Sequence, residues 1–60
     1  MEIHAQLSNG EWHRLDTSGW TDKRDFMFLW RMSEEDDLIA TTDSETYVHK
    51  NNIAAIRIEE

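Results

Sequence analysis

Residues 2–8 alternate without a break. Ile3, Ala5 and Leu7 fall on one side of an extended chain, and Glu2, His4 and Gln6 fall on the other. That is the pattern of a half-buried strand. Asn9-Gly10 follows, a pair that readily takes φ > 0 at both centres of a type I′ turn. The pattern predicts a two-residue hairpin with residues 11–16 as the returning strand. Ser8 then opposes Glu11 and Leu7 opposes Trp12, so Trp12 joins the apolar face of the first strand. A sheet with one apolar face needs the rest of the chain to cover it.

That cover must be made from very little. Sixty residues make one domain, residues 1–60. A domain of this size buries only about 60% of the surface its unfolded chain exposes. There is no Cys, which excludes disulfides and thiolate metal sites and suits a reducing compartment. The remaining devices are an aromatic core, from three Trp, two Phe and one Tyr, and self-association. No apolar run approaches the ~18 residues of a membrane span. Met1-Glu2-Ile3-His4 lacks the basic-then-apolar opening of a secretory signal. The expected localisation is cytoplasmic, with no membrane partner.

Residues 17–24 form a polar loop, with Gly19 supplying a turn and Trp20 acting as a lid on the core or as an exposed anchor for a partner. In residues 25–32, Phe26, Phe28, Trp30 and Met32 share one face at period two, and Met27, Leu29 and Arg31 share the other. The aromatic enrichment predicts a strand. The competitor is a helix from Thr21 to Met32, capped by Thr21 and buried through Phe26, Leu29 and Trp30. Ser33 to Asp37 is a charged loop. Leu38–Thr42 and Thr46–His49 make a hairpin around Asp43-Ser44-Glu45, with Ile39 opposite Val48. Lys50-Asn51-Asn52 breaks the pattern, and a closing strand follows with Ile56 and Ile58 inward. The fold class is mostly β: a small five- to six-stranded antiparallel meander, or such a meander curled into a barrel in which first and last strands meet.

The stretch from Leu38 to Ile58 resembles the closing half of Sm-like and SH3-like small barrels. In those a hairpin leads through a one-turn 3₁₀ segment, here Lys50-Asn51-Asn52, into a last strand with an Ile-x-x-Ile rhythm, here Ile53 and Ile56. The resemblance covers about a third of the chain. It implies an SH3/Sm-like barrel and a homo-oligomer. It transfers no RNA-binding residues, because the Asp/Asn pair and basic-Gly signature of Sm loops are missing and the chain opens on a strand instead of a helix.

The net charge is −7, and residues 32–60 hold eight of the 13 acids but two of the six bases. Such a field repels phosphate backbones and attracts basic partners. Its sharpest feature is Glu34-Glu35-Asp36-Asp37, which lacks the spaced ligands and turn Gly of a calcium loop. The run is a solvated loop or a recognition surface that imitates phosphates in a basic groove. Arg14, Lys23, Arg24 and Arg31 with Trp12 and Trp20 could form an aromatic–basic patch for single-stranded nucleic acid. The overall charge opposes binding that depends on counterion release.

On the expected register His4 and His13 are diagonal neighbours on one face. A metal there would need a third ligand, and His49 is not placed beside them, so the histidines are expected to be ordinary and half-exposed. No nucleophile motif, Gly-rich phosphate loop or zinc motif is present. A core this small leaves little room for a pocket of ~300 Å3. The expectation is therefore a non-enzyme without metal or cofactor. The leading function is a small acidic protein-binding or inhibitory module of the kind phages and mobile elements carry, blocking a host protein that has a basic surface. Its partner-binding residues would be Trp20, Glu34, Glu35, Asp36 and Asp37. The alternatives are an Sm-like oligomer that binds nucleic acid and an oligomeric sponge that holds a small ligand between subunits.

Overall fold

A computed structural model describes residues 1–18, 22–43 and 45–59. Strand β1 (Glu2–Leu7) lies between β2 (Trp12–Arg14) and β5 (Ile53–Glu59) in an antiparallel sheet. Strands β3 (Leu38–Ala40) and β4 (Tyr47–His49) form a second, two-stranded antiparallel sheet. Helix α1 (Lys23–Met32) stands between β2 and β3 in sequence, and a 3₁₀ turn (Lys50–Asn52) joins β4 to β5. Leu15 pairs with Thr41, and the bonds Asp16 N–H to Ala40 O (3.0 Å) and Thr42 N–H to Arg14 O (2.9 Å) tie the two sheets together. The architecture is mostly β, and the described residues do not close into a barrel. No helix among them is long and apolar enough to cross a membrane.

The first hairpin forms, but its register differs from the expectation by one residue. The Gly10 N–H donates to Leu7 O at 2.9 Å and the Leu7 N–H to Glu11 O at 2.8 Å. The loop therefore holds three residues, Ser8 to Gly10. Gly10 alone carries a positive φ, +92°, among the described residues. This is the turn-plus-bulge solution, in which a single left-handed residue suffices, in place of the two that a type I′ turn demands. Asn9 supports it: its Oδ1 accepts the Glu11 N–H at 3.0 Å. The observed pairs are His4–Arg14, Ala5–His13 and Gln6–Trp12. A one-residue slip turns every side chain of the strand over. Trp12 accordingly faces away from the core, 45% exposed, and Leu15 takes the inner position beside Ile3.

Strand β5 pairs along the other side of β1, with Ile3 opposite Ile58 and Ala5 opposite Ile56. Its isoleucines are spaced by three and then two, which a regular strand cannot keep on one face. The register shifts between Gln6 and Leu7, so that Gln6 meets Ala55 while Leu7 meets Ile53. This irregularity absorbs Ala54 and returns Ile53 to the inner side with Ile56 and Ile58. The Ile-x-x-Ile rhythm is thus the signature of a bulge.

Residues 25–32 are helix, not the expected strand. Three local features decide it. The Asp22 carboxylate caps the N-terminus by accepting the Arg24 N–H at 2.7 Å. Phe26 and Trp30 stack one turn apart, ring centres 5.8 Å from each other. At the other end Ser33 Oγ donates to Trp30 O at 2.6 Å. A fourth feature is distant in sequence. The Lys50 ammonium donates to Trp30 O (2.5 Å) and Ser33 O (3.0 Å) and lies 4.9 Å from the centre of the Trp30 ring. A cation is favoured at this end of the helix dipole. Phe26 enters the core with Ile3, Ala5 and Leu15, while Met27 and Trp30 pack at its margin. Phe28 and Met32, which a strand would have turned inward, are 63% and 67% exposed.

Candidate functional site

A groove of about 370 Å3 opens between α1 and β3. Phe26, Leu29 and Trp30 line it from the helix, and Leu38, Ile39 and Ala40 from the strand. Polar atoms come from Asp16 and Ser33. Its volume exceeds the ~300 Å3 for which so small a core was expected to leave little room. The volume arises because α1 meets the inner sheet through one fully engaged residue, Phe26, so the next turn stands clear of β3. Leu29 and Leu38 are 49% and 60% exposed there.

The acidic run is bracketed in sequence by two groove residues, Ser33 and Leu38. Its backbone is fixed from both sides. The Asp37 N–H donates to Glu34 O (3.1 Å), the Asn51 N–H to Glu35 O and the Lys50 N–H to Asp37 O (both 2.9 Å). Asp37 spends one carboxylate oxygen inside the turn, accepting the Glu34 N–H at 2.9 Å. Glu34, Glu35 and Asp36 are exposed on this hydrogen-bonded turn, which links the groove residues Ser33 and Leu38. Asp16 adds charge among the groove residues. The Ser18 backbone N–H, and secondarily its hydroxyl, hold the Asp16 carboxyl below its ordinary value. Trp20, the fifth expected partner-binding residue, lies outside the described residues.

The aromatic–basic patch is divided by the fold. Trp12 and Arg14 stand on the outer face of the three-stranded sheet, with the Arg57 guanidinium 5.0 Å from the Trp12 ring centre. Lys23, Arg24 and Arg31 surround a shallow depression with Met27 and Phe28 on α1, which packs against the inner face. The histidines are divided as well. Because of the register, His13 lies on the inner side opposite Ala5, beside Glu11, not diagonal to His4 on one face. His49 Nδ1 is 3.3 Å from Asp36 O. His4 stands on the outer face, between Glu2 and Glu59.

The groove had a signal in the sequence. The alternative helical stripe at Phe26, Leu29 and Trp30 names three of its lining residues, and a helix leaves Phe28 and Met32 without cover. Comparison of the chain with protein families, with curated proteins and with solved structures finds no match.

Proposed function

We propose that the chain is a small acidic protein-binding module that takes a basic amphipathic segment of another protein into the groove between α1 and β3. The observation that carries this is the coincidence of an open apolar groove with a hydrogen-bonded carboxylate turn that joins its two walls. Apolar side chains supply the driving force of such a contact, and the charges select the partner and speed its approach. The groove suits an amphipathic helix, whose apolar stripe would cover Leu29 and Leu38 while its basic flank meets Glu34, Glu35 and Asp36. Occupying a partner's basic surface would block that surface for nucleic acid, which is the inhibitory mode of small phage and mobile-element proteins. The Sm-like or SH3-like barrel remains part of this proposal at the level of fold. It is supported by the order of the β3–β4 hairpin, the Lys50–Asn52 turn and β5.

The test uses a labelled synthetic helical peptide with a leucine stripe and lysine flanks, beside a counterpart with glutamate flanks. The wild-type protein binds the basic peptide, more weakly as salt rises. Leu38→Glu abolishes binding, and the quadruple variant Glu34→Gln, Glu35→Gln, Asp36→Asn, Asp37→Asn weakens it and flattens its salt dependence. Equal binding of both peptides, or no change in the quadruple variant, overturns the proposal. A second reading, self-association, is favoured by the exposure of Phe28 and Met32 on the same helix. Its measure is the solution mass. A defined oligomer that Met32→Glu dissociates supports it, and a wild-type monomer at high concentration removes it.

A further inference from the structure

The outer face of the three-stranded sheet carries a cluster that the protein-binding proposal does not use. Glu2 and His4 are two apart on β1 and so point the same way. Glu59 is the register partner of Glu2 on β5. One side-chain nitrogen or oxygen from each of the three lies within 4.8 Å of the others.

His4 Nε2 is the unusual atom. Its side chain is 19% exposed, yet Nε2 itself is shielded from solvent and has no hydrogen-bond partner. It faces Glu2 Oε1 and Glu59 Oε2, each at 3.8 Å. These separations are too long for a hydrogen bond. They are close to the spacing of donor atoms around a shared ion, since a cation needs about 2.0–2.2 Å to each ligand. The two separations from His4 need contract by only a few tenths of an ångström, whereas the carboxylates, half-exposed and within 4.8 Å of one another, would have to draw together further.

The surroundings have the form of an outer ligand shell. Arg57 Nε holds Glu59 Oε1 at 3.2 Å and leaves Oε2 directed at the imidazole. Arg14 Nε lies 3.3 Å from Glu2 Oε1, the same oxygen that faces His4, so a bound ion would share or displace that contact. Partners of this kind orient ligating carboxylates. They also compete with a cation for the same negative charge and so weaken its binding.

We infer that Glu2, His4 and Glu59 form a binding site for one divalent transition-metal ion of the zinc type, clamping the first strand to the last. The imidazole selects against calcium and magnesium, which prefer all-oxygen shells. Three protein ligands leave a position for water. The site is independent of the groove, so either can fail without the other.

The experiment titrates Zn2+ into tag-free, chelator-treated protein by calorimetry, with Co2+ as a second probe read by its visible absorption. One ion binds per chain, the melting temperature rises with Zn2+ as binding to the folded state requires, and Co2+ gives the absorption of a low-coordinate site. Glu59→Gln, a surface change at the end of a strand, weakens binding at least tenfold, and His4→Gln removes it. His49→Ala and Glu34→Gln bind as wild type does. Absence of saturable uptake at millimolar Zn2+, unchanged affinity in Glu59→Gln, or loss of binding in His49→Ala overturns the inference.

Discussion

Replacing Lys50 by Met tests why residues 23–32 are helix. The change keeps the aliphatic stem and removes the ammonium from Trp30 O, Ser33 O and the Trp30 ring. The Trp30 carbonyl keeps Ser33 as a donor through both N–H and hydroxyl, so its loss is small. Ser33 O loses its charged donor, which costs about 1 kcal/mol in a half-buried setting. The missing cation at the helix C-terminus costs about 0.5 kcal/mol, and the missing cation–π contact about 0.5 kcal/mol. The expected destabilisation is about 2 kcal/mol. A sixty-residue domain has roughly 3–9 kcal/mol in total, and each kcal/mol moves its melting temperature by about 4–8 °C. The variant therefore melts about 8–16 °C lower, followed by circular dichroism at 222 nm and checked by urea titration. A shift below about 2 °C would refute the reasoning, because the end of α1 would then stand without its long-range anchor.

Gly10→Val tests the hairpin turn. A Cβ at Gly10 meets nothing within 4 Å, so the cost is purely conformational, about 1–2 kcal/mol for a β-branched residue held at φ +92°. Urea titration measures it, and an unchanged midpoint would remove the left-handed residue from the turn. Acid acts on the turn at Asp43. The Thr46 hydroxyl, and then the Glu45 backbone N–H, lower the Asp43 pKa below its ordinary value. A carboxyl depressed in the folded state contributes stability that is present above the unfolded value of about 3.9 and disappears as pH falls through the folded value. The stability difference between wild type and Asp43→Ala is therefore constant from pH 7 to pH 5 and shrinks below about pH 4. A difference independent of pH in urea titrations would contradict it.

The sequence shows where strands begin and turn more readily than how they are registered. Asn9-Gly10 marks a hairpin under either solution, since Gly10 occupies the left-handed position in both. What separates the two is whether Asn9 also turns left-handed, and no neighbouring residue encodes that choice. The consequence is large, because Trp12 moves to the outer face and His13 to the inner one. The Ile39–Val48 pairing is legible because β-rich runs flank a short polar turn. The helix is less so, because eight residues rich in aromatics satisfy both periods and one of its supports, Lys50, arrives from beyond β4. The acidic run is visible at once as charge, but its relation to a groove depends on that helix. The Glu2–His4–Glu59 cluster needs the pairing of the first strand with the last, and the expectation that those strands meet stops short of naming which residues face each other.

Strand β1 has a neighbour on each side, and they come from opposite extremes of the chain. The first partner, β2, follows β1 after a short turn. The second, β5, is separated from β1 by α1 and by both strands of the second sheet. Until β5 pairs, one edge of β1 keeps its backbone groups without a strand partner. Contacts of such separation slow folding relative to local ones. Pairing with residues 53–59 is therefore the slow kind of contact in this fold, and losing that strand would leave one edge of the central strand open.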